Sequence, residues 1–149
     1  MVKFYKLIEN NFTTINKEKL SLYRSIDYNY YVVGKFYKEY EDKERFAVIA
    51  DLSFKFKNLN SKQKQLKSKT FVIETVHVAT DFRFKGIANK FYKYILKFNQ
   101  LMCDNIQYEG AVELWKSLIE CKDIVVWIYN TKEDKIISKA TKLTNPNHI

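Results

Sequence analysis

Arg83, Lys85, Gly86 and Ala88 stand in the stretch TDFRFKGIANKF, in a chain that has only three glycines and three arginines. They follow an apolar, alternating run and precede residues with helical spacing. The first amides of a helix have no intrahelical acceptor, and the positive end of the helix dipole lies behind them. Such a place binds phosphate. Gly86 lets the backbone come close to an anion, Ala88 keeps the first turn slim, and Arg83 and Lys85 add positive charge. The spacing therefore predicts an anion cradle.

The elements that must position this cradle can be read from periodicity. Thr70 to Ala79 (TFVIETVHVA) alternates, with Val72, Glu74, Val76 and Val78 on one face and Phe71, Ile73, Thr75 and His77 on the other. It is expected in the centre of a sheet. Ile87, Phe91, Tyr94, Ile95 and Phe98 recur every three or four residues, with Lys90, Lys93 and Lys97 between them, and predict an amphipathic helix. Gln100 to Ile106 fits a strand. Ala111, Leu114, Trp115 and Leu118 form the stripe of a second helix.

Upstream, KFYKLIE predicts a strand and NKEKLSLYRSI (Asn16 to Ile26) a helix capped by Asn16. YNYYVVGKFYKEY and RFAVIADLSFKF, joined at Glu41 to Glu44, predict a β-hairpin with Gly34 at a bulge or close approach. The basic stretch Lys57 to Lys69 reads as a solvated loop. DIVVWIYN and KIISKATKL predict a closing strand pair around Thr131 to Asp134. A strand, helix, strand unit over 70–106 implies a right-handed crossover and a parallel pair, so the fold class is α/β with a mixed sheet, in one domain over 1–149.

Composition bounds the rest. At 149 residues, 46% hydrophobic and 16% aromatic, the chain belongs with globular proteins rather than disordered ones. No apolar run approaches the ~20 residues that cross a bilayer, and MVKFYKLIEN has no signal-peptide pattern, so no membrane association and a cytoplasmic location are expected. Cys103, Cys121 and the two histidines fit no zinc spacing, and no metal site is expected. The net charge of +9 suits an acidic protein or nucleic acid, but the scarcity of arginine favours a compositional origin. The aromatic hairpin (Tyr28, Tyr30, Tyr31, Phe36, Tyr37, Tyr40) exceeds what one face buries and points to an interface, with a homodimer as one expectation.

The segment VHVATDFRFKGIANKFYKYIL resembles the cofactor-binding segment of GNAT-type N-acetyltransferases, Arg/Gln-x-x-Gly-x-Gly/Ala after a central strand, with the match on Arg83, Gly86 and Ala88. GAVELWKSL resembles that family's later helix, with Ala111, Leu114 and Leu118 in register. Together the two segments cover about 60 residues and the remainder matches in strand order; small size and lysine richness suggest a phage- or mobile-element-encoded member. The resemblance implies a mostly antiparallel sheet with a splayed parallel pair flanked by helices. It implies acetyl-coenzyme A as co-substrate, with its pantetheine arm on the backbone of Val76, His77 and Val78 and its pyrophosphate on the loop Arg83, Phe84, Lys85, Gly86, Ile87, Ala88 and Asn89. The acceptor would be an amine on a small molecule or a protein.

Trp115 stands where the family often keeps a tyrosine as general acid, and an indole N–H is no useful proton donor. Glu74 is then the candidate base, through water, and Tyr108 or Asp104 the candidate acid or orienting group. Two readings stay open: an N-acetyltransferase, or a catalytically inactive GNAT-like domain that binds a partner.

Overall fold

The computed structural model describes residues 5–38, 40–59, 69–103, 111–130 and 132–141. It is an α/β structure with a mixed six-stranded sheet and two helices. The strands are β1 (Tyr5–Ile15), β2 (Glu18–Ser25), β3 (Tyr30–Lys38), β4 (Glu44–Asn58), β5 (Lys69–Val78) and β6 (Gln100–Cys103), hydrogen-bonded in that order. Helix α1 (Ile87–Leu96) joins β5 to β6; α2 (Ala111–Ile119) follows, and β7 (Trp127–Asn130) and β8 (Lys135–Lys139) pair separately. No helix among the described residues is long and apolar enough to cross a membrane.

The helix expected over Asn16 to Ile26 is instead β2. Ile15 pairs with Glu18 across a two-residue turn in which Asn16 and Lys17 have φ of 52° and 64°. Two left-handed residues match the twist of a hairpin, and asparagine tolerates that conformation better than most. Leu20 and Leu22, spaced two apart, are fully buried. That alternation suits a strand; the i, i+3 coincidence with Tyr23 and Ile26 misled, for Ile26 is exposed.

Two compact units divide the chain, 1–55 with 73–91 and 56–72 with 92–149. In the first, β1 to β4 form an antiparallel meander, with Val33 paired to Ala50 but Gly34 to Val48, so Ile49 is an inserted residue. Gly34 is required there. A Cβ on it would lie 2.4 Å from the Ala47 carbonyl oxygen and 2.9 Å from the Phe46 ring. That ring is the centre of a cluster with Tyr5, Tyr23 and Phe36, at centroid distances of 5.4, 5.0 and 4.9 Å. The core holds Leu20, Leu22, Val32, Val33, Leu52, Ile87 and Phe91.

In the second unit, Tyr92, Ile95, Leu114, Trp115 and Leu118 are buried, with the Tyr92 and Trp115 rings edge to face at 5.8 Å. The expected α2 stripe is present at Leu114, Trp115 and Leu118. The α1 stripe differs: Tyr92 is buried, whereas Phe98 lies past the helix end and is exposed. Thr70, also buried, accepts a 2.7 Å hydrogen bond from Gln100 Nε2 across β5 and β6. Residues 123–125, expected in the closing pair, precede β7 without joining it, whereas the Val126 carbonyl accepts from the Ala140 amide at 2.8 Å; Trp127 is partly exposed.

Candidate functional site

β5 ends at Val78, and the Ala79 amide donates to the Ile49 carbonyl at 2.8 Å. The inserted residue of β4 thus leaves an acceptor that ties down the start of the loop. A 3₁₀ turn over Thr80–Phe82 follows, with Phe82 N–H donating to the Ala79 carbonyl. Asn16 Nδ2, from the β1–β2 turn, donates to the Asp81 carbonyl at 3.1 Å. The loop is held from two sides.

After it, Phe84 adopts φ 61° and Gly86 φ 87°. A left-handed conformation costs a side-chain-bearing residue about 1–2 kcal/mol. Gly86 escapes that cost, and a Cβ there would meet nothing within 4 Å. Glycine is present for backbone conformation, with open space beside it. Phe84 bears the strain and points its ring wholly into solvent.

The Gly86 carbonyl accepts the first helical bond, from the Lys90 amide at 3.1 Å, which makes Gly86 the cap of α1. Among the described residues, the amides of Phe84, Lys85 and Gly86 donate to nothing, and Ile87 and Ala88 precede the first intrahelical donor. Five consecutive N–H groups therefore stand at the positive end of the helix. Ile87 is buried beneath them and anchors the turn, while Lys90 Nζ reaches back to the Phe12 carbonyl at 3.3 Å.

Arg83 behaves differently from a phosphate ligand. Its Nε donates to the Val78 carbonyl at 3.1 Å, folding the side chain back onto the strand end. Lys85 is exposed. Val76 and Val78 are half-buried, and His77 is exposed with Nδ1 3.2 Å from Asp51 Oδ1. Glu74 is exposed, and alternation along β5 sends it to the face opposite Thr75 and His77. Tyr108 and Asp104 lie outside the described residues, as does the side chain of Ala111.

Sequence reasoning missed a groove on the Thr75 and His77 face. Tyr5, Tyr30, Val32, Val48, Asp51 and Ser53 line a space of about 360 Å³. Register places Tyr30 beside Ser53 and Val32 beside Asp51, while β5 adds the Thr75 hydroxyl, 2.5 Å from that of Ser53, and His77 on Asp51. The Tyr5 and Tyr30 hydroxyls are 3.3 Å apart. That bond, burial and the negative charge of Asp51 push the Tyr5 phenol up to about 12. One signal was present in the sequence: Asp51 and Ser53 alternate with Ala50, Leu52 and Phe54, which puts a carboxylate in the middle of a strand whose other face is core.

No protein-family model matches the sequence, and no curated protein matches it.

Proposed function

We propose that the chain binds acetyl-coenzyme A at the loop before α1 and transfers its acetyl group to an amine. One observation carries this reading: the amides of Phe84 to Ala88 are unengaged among the described residues, around a glycine whose conformation leaves open space beside it. A diphosphate supplies the acceptors that these donors lack, and Lys85 adds charge. The pantetheine arm then lies along Val76 to Val78. For its amide to reach the Val78 carbonyl, the Arg83 side chain must first swing away, which frees the guanidinium to meet the phosphates.

In the transfer, the neutral amine attacks the thioester carbonyl, the C–S bond breaks, the nitrogen gives up a proton and the departing thiolate takes one. Glu74 would receive the amine proton through water. Tyr108 or Asp104 would deliver the other.

The second reading, a GNAT-like domain that binds without catalysis, is favoured by a different observation. Trp115 replaces the tyrosine expected of the family, and its buried Nε1 has no hydrogen-bond partner among the described residues. Calorimetric titration with acetyl-coenzyme A tests the first step: wild type should bind, and Gly86→Glu, which puts a carboxylate where the pyrophosphate would lie, should lose at least tenfold in affinity. Equal binding by both removes the loop from consideration. Thiol release assayed with a panel of amines then separates enzyme from binder, and Glu74→Gln should slow it if the assigned role is right.

A further inference from the structure

The groove on the β1, β3 and β4 face is not used by the proposed transfer, and its lining has a specific chemistry. Two tyrosine rings, Tyr5 and Tyr30, stand at its wall with centroids 6.1 Å apart and planes at 72°. Tyr28 stacks on Tyr30 from outside, at 6.3 Å and 17°, and holds that ring in place. Val32 and Val48 make the floor apolar, and Asp51 supplies a carboxylate about one-third exposed. Aromatic faces are negative, so rings and carboxylate act on a guest with the same sign. The upward push of Asp51 on the Tyr5 phenol reports that field.

Three kinds of guest can be compared on this lining. An anion is repelled by Asp51. A neutral apolar guest would strip water from the carboxylate and return nothing for it. An organic cation meets the charge with the two tyrosines beside it. His77 Nδ1, 3.2 Å from Asp51 Oδ1, orients the carboxylate from the β5 side. The volume of about 360 Å³ lies within the ~300–1,000 Å³ usual for small-molecule sites.

We propose that the groove lined by Tyr5, Tyr30, Val32, Val48, Asp51 and Ser53 binds a small organic ammonium ion, with Asp51 as counter-charge and the Tyr5 and Tyr30 rings as its aromatic wall. In a chain of net charge +9, this pocket is a local site of opposite sign. The proposal does not depend on acetyl-coenzyme A, and its test omits that compound.

The full chain is titrated calorimetrically with choline chloride and, at the same ionic strength, with 3,3-dimethylbutan-1-ol, which has the same shape without the charge. Choline should bind at least about tenfold more tightly than the alcohol. Asp51→Asn and Tyr30→Leu should each weaken choline about tenfold, whereas Tyr30→Phe, which keeps the ring face, should retain binding. Equal affinity for choline and the alcohol, no binding of choline, or unchanged binding by a folded Asp51→Asn overturns the proposal. If either weakening variant fails to fold, choline-induced amide shifts in the wild type decide it: changes at Tyr30, Val32 and Asp51 support the groove, and changes elsewhere, or none, overturn it.

Discussion

Tyr5 holds its proton up to about pH 12, chiefly because its hydroxyl shares a hydrogen bond with Tyr30 that ionisation would forfeit, and then because of burial and the charges of Tyr30 and Asp51. The folded state thus binds this proton more tightly than the unfolded chain, whose tyrosines titrate near 10. The stability it contributes is complete below pH ~10 and is lost as the pH rises through 12. Spectrophotometric titration of phenolate should show Tyr5 among the late tyrosines, beside Tyr23, whose phenol burial also pushes up, and Tyr30→Phe should move the Tyr5 step down toward 10. If the late Tyr5 step survives that substitution, the hydrogen bond is not its cause. Gly86 and Gly34 were both singled out in the sequence, and the structure gives them different reasons: a left-handed backbone at the first, the Ala47 carbonyl and the Phe46 ring crowding the second.

At the scale of elements, the β1–β2 hairpin is the clearest departure from the sequence reading. NKEKLSLYRSI satisfies a helical spacing and a strand alternation over the same residues, and pairing with β1 and β3 selects the strand. The turn itself was legible, since a two-residue connection with asparagine first is a hairpin signal. Lys17 there carries φ 64° with a side chain that gains nothing from it. Lys17→Gly should therefore stabilise the protein by about 0.5–1 kcal/mol, read from the urea midpoint at unchanged slope. A lower midpoint would mean that the unfolded-state entropy of glycine outweighs the relieved strain. The order of strand, loop and helix in β5 and α1, by contrast, was legible because its two periods do not overlap, although the buried stripe of α1 takes in Tyr92 and leaves out Phe98.

For the whole molecule, the charge of +9 raises the expectation of nucleic-acid binding. The lysines that the structure describes mostly lie on exposed faces, and Lys35 and Lys116 are spent on Glu18 and Glu113. Any retention on duplex DNA should come from counterion release alone: weak, independent of sequence, and gone by ~0.2 M salt. Fluorescence anisotropy with two unrelated duplexes checks this, and a preference that persists in salt would demand a reading interface. The exposed aromatics Tyr28, Phe36, Tyr37 and Tyr40 agree with the surplus counted in the hairpin, since a meander has one core face and these side chains fall on or beyond its rim.

From the sequence alone came the order of most strands and both helices, the glycine-centred loop and its place before a helix, because those depend on local period and backbone freedom. Tertiary structure alone decided that residues 18–25 are a strand, that Arg83 turns back onto Val78, and that Tyr5, Tyr30 and Asp51 share a groove. The reason is range. Tyr5 and Asp51 are 46 positions apart in the chain, and no local pattern records a neighbour that strand register alone brings near.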